Sequence, residues 1–207
     1  MRNLTGLIFL LFAAQVALAQ DRPDSPDSWN GLMLDESTVE DAIAVLGDPR
    51  QDREDQKFNT RISSWLAKDG RFRRLEYRKV AGVDKAYLYF QDDHLKVIEL
   101  DLKETFAAVK LPLYYEMRYF LQDDSGVLHR DPFEEGIRTA GGEFPTTFNI
   151  VGIGATSFLV ALVVHQGASR LLYDQTRLRM DVPGDVQVIQ LVSRLLQASD
   201  VPDCLTR

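Results

Sequence analysis

The chain has 207 residues, with 24 basic and 31 acidic side chains and a net charge of −7. That balance argues against nucleic acid and against an anionic membrane surface as general partners. The single cysteine, Cys204, excludes an internal disulfide, and the chain is long enough to build a hydrophobic core without one.

The first predicted element is a secretory signal over residues 1–19. Arg2 gives a basic start, Leu4 to Leu18 is almost wholly apolar, and Ala17-Leu18-Ala19 is a small-x-small cleavage site before polar Gln20. The run is shorter than the roughly 20 apolar residues of a membrane span. No cysteine stands just after the cleavage site, so a lipid anchor of the bacterial lipoprotein type is not indicated. Cleavage leaves 188 residues with 23 basic against 31 acidic side chains. The signal implies a periplasmic or secreted location, and with no glycosylation sequon and no disulfide framework in the mature chain a bacterial periplasm fits better than a eukaryotic secretory route.

Residues 20–28, QDRPDSPDS, read as a polar linker. Ser37-Thr38-Val39-Glu40 reads as a capping box, with Ser37 as the cap. Val39, Ala42, Ile43 and Leu46 then form one apolar helical stripe, which Gly47 and Pro49 stop. Residues 48–57 read as a charged loop, and a second short helix is expected from Asn59 or Thr60 to about Lys68. Strands follow at Phe72–Val80, Ala86–Gln91 and Leu95–Leu102, joined by short turns as in an antiparallel meander.

In the second half, residues 103–110 suggest a short helix. Leu113–Leu121 is ambiguous, with its aromatics favouring a strand. Asp131 and Pro132 suggest a helix start running to about Ala140. Phe144–Ile153 and Ser157–Val164 read as a hairpin, with further strands at Leu171–Tyr173 and Arg177–Val182. A closing helix is expected over 186–198, with Val188, Ile189, Val192, Leu195 and Leu196 on its apolar face. ALGDP and AGGEFP suggest a faint internal repeat between the halves.

Signals of chemistry are sparse. His94, His129 and His165 show no metal-ligand spacing and read as turn histidines unless the fold assembles them. His129-Arg130-Asp131 copies the letters of a kinase catalytic loop without its context. Gly152-x-Gly154 lacks the third glycine and the helix of a dinucleotide site, and so reads as a hairpin turn. The pairs Asp92-Asp93, Asp123-Asp124 and Glu134-Glu135 read as solvated carboxylates. The basic stretch Arg71, Arg73, Arg74, Arg78 and Lys79 stands out in an acidic chain. It is either a solvated sheet edge or a docking face for an acidic partner.

The run WNGLMLDESTVEDAIAVLGDP, Trp29 to Pro49, resembles the first helix of BamE/SmpA/OmlA-like domains, which share the fold of the β-lactamase inhibitor protein repeat. The resemblance implies a helical hairpin packed on an antiparallel sheet and a protein-binding role in the cell envelope, with no catalytic residues to carry over. The expected class is therefore α+β: a helical hairpin on an antiparallel sheet, either as two such units or as one extended sheet ending in a helix. The expected organisation is a signal at 1–19, a linker at 20–28, a BamE-like unit at 29–103 and a second α+β unit at 104–207. The expected function is an exported protein-binding or envelope-assembly accessory module. It has a protein partner and needs neither cofactor, metal, nucleic acid nor stable membrane insertion. The alternative is an exported hydrolase or small-ligand-binding protein with its pocket in the second half.

Overall fold

The computed structural model describes residues 22–57, 71–122, 128–129, 131–133, 147–164, 182 and 184–196. A small ribbon comes first, β1 (Ser28–Trp29) with β2 (Leu32–Met33), and then helix α1 (Val39–Leu46). Next come β3 (Gln51–Lys57), β4 (Arg71–Val80), β5 (Val83–Gln91) and β6 (His94–Ala107). A 3₁₀ turn at Ala108–Lys110 leads into the single turn α2 (Leu111–Tyr114). The last strands are β7 (Arg118–Gln122), β8 (Leu128–His129), β9 (Thr147–Ile153), β10 (Ser157–Val164) and β11 (Asp185–Ser193), closed by a 3₁₀ turn at Arg194–Leu196.

Among the described residues nine strands form one sheet in the order β3-β4-β5-β6-β11-β10-β9-β7-β8, and every pairing is antiparallel. This overturns the α+β expectation of a helical hairpin on a sheet. Among the described residues α1 is the only helix of as many as eight residues. The expected second helix, near 59–68, lies outside the described residues, as do the strand expected at 171–173 and all but Val182 of the strand expected at 177–182.

Two errors of pattern explain the difference. The closing helix is instead strand β11, which pairs with β6 and β10. Its core residues alternate between two buried faces, Val188 and Val192 on one, Val186, Ile189 and Leu191 on the other. A strand buried on both faces reads as a near-continuous apolar run, which a helical period also fits. Its β-branched content was the signal for a strand. The charged loop at 48–57 is largely β3, whose partner is β4. Dense charge there marks an outermost strand, protected from pairing with other chains.

The strands expected at 72–80, 86–91 and 95–102 are present as β4, β5 and β6, and the hairpin expected over Phe144–Ile153 and Ser157–Val164 is present from Thr147 as β9 and β10. Residues 103–107 continue β6 rather than forming a helix, and 113–121 divides between α2 and β7.

One face of the sheet carries the larger core, including Leu75, Leu88, Ile98, Leu100, Ile189, Leu191 and Leu159, packed under α1 through Val39 and Ala42. The other face carries Phe72, Tyr89, Val97, Val151, Phe158, Val160 and Val192, all buried. The segment read as a linker is pinned to the start of β10 and the end of α2. Ser157 Oγ donates to the Pro26 carbonyl at 2.7 Å, and Tyr115 Oη donates to that of Pro23 at 3.1 Å. Trp29, Leu32 and Leu34 then enter the core. Asp35 closes this strap with one oxygen on Lys96 Nζ and the other on Ser193 Oγ, both at 2.6 Å.

Candidate functional site

The basic stretch lies on β4, which is second from the edge because β3 flanks it, so the solvated-edge reading fails. Strand alternation divides its cations. Arg71 and Arg73 lie on the face of Leu75 and Tyr77, whereas Arg74 and Arg78 share the opposite face with Phe72 and Glu76. Arg78 Nε donates to Glu76 Oε1 at 2.8 Å. Arg74 lies 5.4 Å above the Tyr87 ring, and its Nε is buried with no hydrogen-bond partner. Lys79 is exposed at the far end, beside the β4–β5 turn, with φ of 51°. At about 3.3 Å per residue, it is some 26 Å along the strand from Arg71.

Arg71 and Arg73 instead line a cleft of about 440 Å³ where β4 begins. Its apolar lining is Val39, Phe72 and Phe90, and its polar lining adds Glu54, Gln91, Asp92 and Asp93. Arg73 is held by a two-pronged pair to Asp52, with Nε to Oδ1 at 3.0 Å and Nη2 to Oδ2 at 2.7 Å. These hydrogen bonds hold the Asp52 carboxyl below its ordinary value and raise Arg73 in turn. The pair fixes the guanidinium in orientation while offsetting part of its charge.

Asp92 and Asp93 form the two-residue loop between β5 and β6, with φ of 52° and 63°. That is the left-handed region a tight type I′ hairpin demands, where Asn-Gly is the usual solution. Glu54, Gln91, Asp92 and Asp93 were not singled out as site residues from the sequence. The legible signal was an Asp-Asp pair where the turn favours Asn-Gly.

The other features fall elsewhere. His94 is exposed at the start of β6, His129 lies in β8, and His165 is outside the described residues. Gly152 lies within β9, one residue before its end, and Gly154 sits in the turn to β10, as the hairpin reading requires. Asp123-Asp124, Glu134-Glu135 and Cys204 lie outside the described residues, and Asp131 Oδ1 accepts from the Phe133 amide at 2.8 Å. Among the described residues no three metal-ligating side chains cluster, and no helix is long and apolar enough to cross a membrane.

A second polar feature is internal. Gln190 Nε2 donates to buried Glu99 Oε2 at 2.5 Å, and Gln190 Oε1 is buried without a hydrogen-bond partner. Tyr89 stands on the same face, its hydroxyl pushed above its ordinary value by burial and then by the Glu99 charge. No family model, curated protein or solved structure matches the chain.

Proposed function

We propose that the protein is an exported binding module of the cell envelope that docks a protein partner and performs no catalysis. The observation that carries this reading is the cleft itself. It is open, it is lined by Arg71 and Arg73 beside the buried Val39 and Phe90, and its volume is within the range of ligand sites. An acidic segment of a partner meets the two guanidinium groups. The signal at 1–19 and the resemblance of Trp29–Pro49 to BamE-like domains support the envelope location. The other cations, Arg74, Arg78 and Lys79, belong to this docking reading only as contributors to the long-range field that steers association.

The test is site-specific photo-cross-linking in the native envelope. A photoreactive residue at Gln91, which lines the cleft, should give a discrete protein adduct. Arg71→Glu should reduce its yield severalfold, most strongly at low salt. No adduct, or one indifferent to Arg71→Glu, overturns the reading.

One observation favours a second reading, a small-ligand-binding protein. The unsatisfied Gln190 Oε1 beside Glu99 is an acceptor that a polar ligand's N–H or O–H would satisfy. Mass spectrometry of the protein purified natively from the envelope should then release a small molecule that Gln190→Leu does not retain. Recovery of the bare chain from both proteins counts against it.

A further inference from the structure

The sequence suggests an acidic partner, but the cleft carries both signs of charge. Arg71 and Arg73 come from the start of β4, while Asp92 and Asp93 come from the β5–β6 turn and Glu54 from β3. We infer that the cleft recognises a dipolar peptide segment, in which a carboxylate and an ammonium or guanidinium group lie side by side. The inference rests on the docking reading above and names the chemistry of the partner's segment.

Three observations support it. First, side chains of opposite charge line one open cavity at the start of β4, above the buried Val39 and Phe90. Second, Arg73 is pre-oriented by Asp52 through two hydrogen bonds, so an arriving carboxylate meets a guanidinium already fixed in position. Third, both turn aspartates are exposed and hold left-handed backbone that Asn-Gly would adopt with less strain. The turn therefore keeps its carboxylates against local conformational preference. A purely acidic segment would face repulsion from Asp92, Asp93 and Glu54, and a purely basic one from Arg71 and Arg73. A segment carrying both charges can set each one toward the opposite sign, whereas a single-sign segment meets repulsion from one set.

The test uses the full mature chain and three blocked peptide probes of equal length, one Glu-Lys, one Glu-Glu and one Lys-Lys. Binding is followed by amide chemical shifts. The Glu-Lys probe should perturb amides at 71–73 and 91–93 and bind at least threefold more tightly than either single-sign probe. The double variant Asp92→Asn with Asp93→Gly should melt at the same or a higher temperature, which shows an intact fold. It should bind Glu-Lys at least threefold more weakly and narrow its advantage over Glu-Glu. Equal binding of all three probes, or of Glu-Lys by the chain and the variant, overturns the dipolar inference. If Glu-Glu binds best and Arg71→Glu abolishes it, the acidic-partner docking reading stands while the dipolar one falls. No perturbation at the cleft by any probe overturns the dipolar inference, and the cross-linking experiment at Gln91 then decides the docking reading separately.

Discussion

Gly184 shows how one backbone position dictates its residue. It sits at φ of +88°, and a Cβ there would lie 2.8 Å from the Val164 carbonyl oxygen, a backbone atom that cannot swing aside. Gly31 has a similar φ of +77° but open space around it. Gly31→Ala should therefore cost only the left-handed strain, about 1–2 kcal/mol. Gly184→Ala should cost measurably more, because the clash adds to the strain. Urea unfolding of the two variants gives the comparison, and equal losses would show that the β10–β11 junction yields. At the same scale, the lowered Asp52 carboxyl makes the Asp52–Arg73 pair pH-dependent. A depressed carboxylate contributes stability that is present above its unfolded value and is lost as pH falls through its lowered folded value. Both side chains are 37% exposed, so solvent screening keeps the contribution at no more than about 1 kcal/mol. The stability gap between the native chain and Arg73→Ala should be open at neutral pH and close in acid below the ordinary carboxylate range. A gap unchanged down to the lowest accessible pH would show that Arg73 acts by packing alone.

At the scale of elements, α1 was legible in its span and its stop, and mistaken in its cap. Thr38 rather than Ser37 is the cap: its Oγ1 accepts from the Asp41 amide at 3.2 Å, and Asp41 Oδ2 accepts from the Thr38 amide at 2.9 Å. Ser37 Oγ instead accepts from the Met33 amide at 2.9 Å, outside the helix. Two adjacent hydroxyl residues offered both registers, and a one-residue choice is not decided by local pattern. Thr38→Ala should therefore cost about 0.5–2 kcal/mol by thermal or urea unfolding. A neutral Thr38→Ala would contradict the assignment. The strap gives a sharper test. Asp35→Ala removes the partner of Lys96, whose side chain is 13% exposed, and that of Ser193 as well. A mostly buried ammonium left without its carboxylate should cost about 1–3 kcal/mol, between the exposed and fully buried limits. The double variant Asp35→Ala with Lys96→Met should recover part of that loss, since the orphaned charge is gone. The strap was read as a linker because Pro, Ser and Asp are also the residues of loops, and its anchors Thr156 and Ser157 lie about 130 residues away in sequence.

At the scale of the molecule, local pairings were legible and distant ones were not. β4, β5 and β6 announce themselves by alternation and tight turns, and so does the β9–β10 hairpin. The join that makes one sheet is β6 with β11, where Ile98 faces Leu191. Those residues stand about ninety positions apart, and periodicity specifies which face of a strand is apolar without saying which strand it meets. The candidate site was legible by half for a related reason. The cations of β4 are a visible run, whereas Glu54, Gln91, Asp92 and Asp93 reach them only through the β3–β4 and β4–β5 ladders. The same ladders send Arg74 and Arg78 to the opposite face. The central claim is that binding belongs to the cleft end of the sheet and not to the whole charged strand. Photoreactive residues at Gln91 and Lys85, at opposite ends of β5, test this in the native envelope. The account predicts a strong adduct from Gln91, weakened by Arg71→Glu, and little or none from Lys85. Equal adducts from the two positions, or an adduct from Lys85 alone, would contradict it.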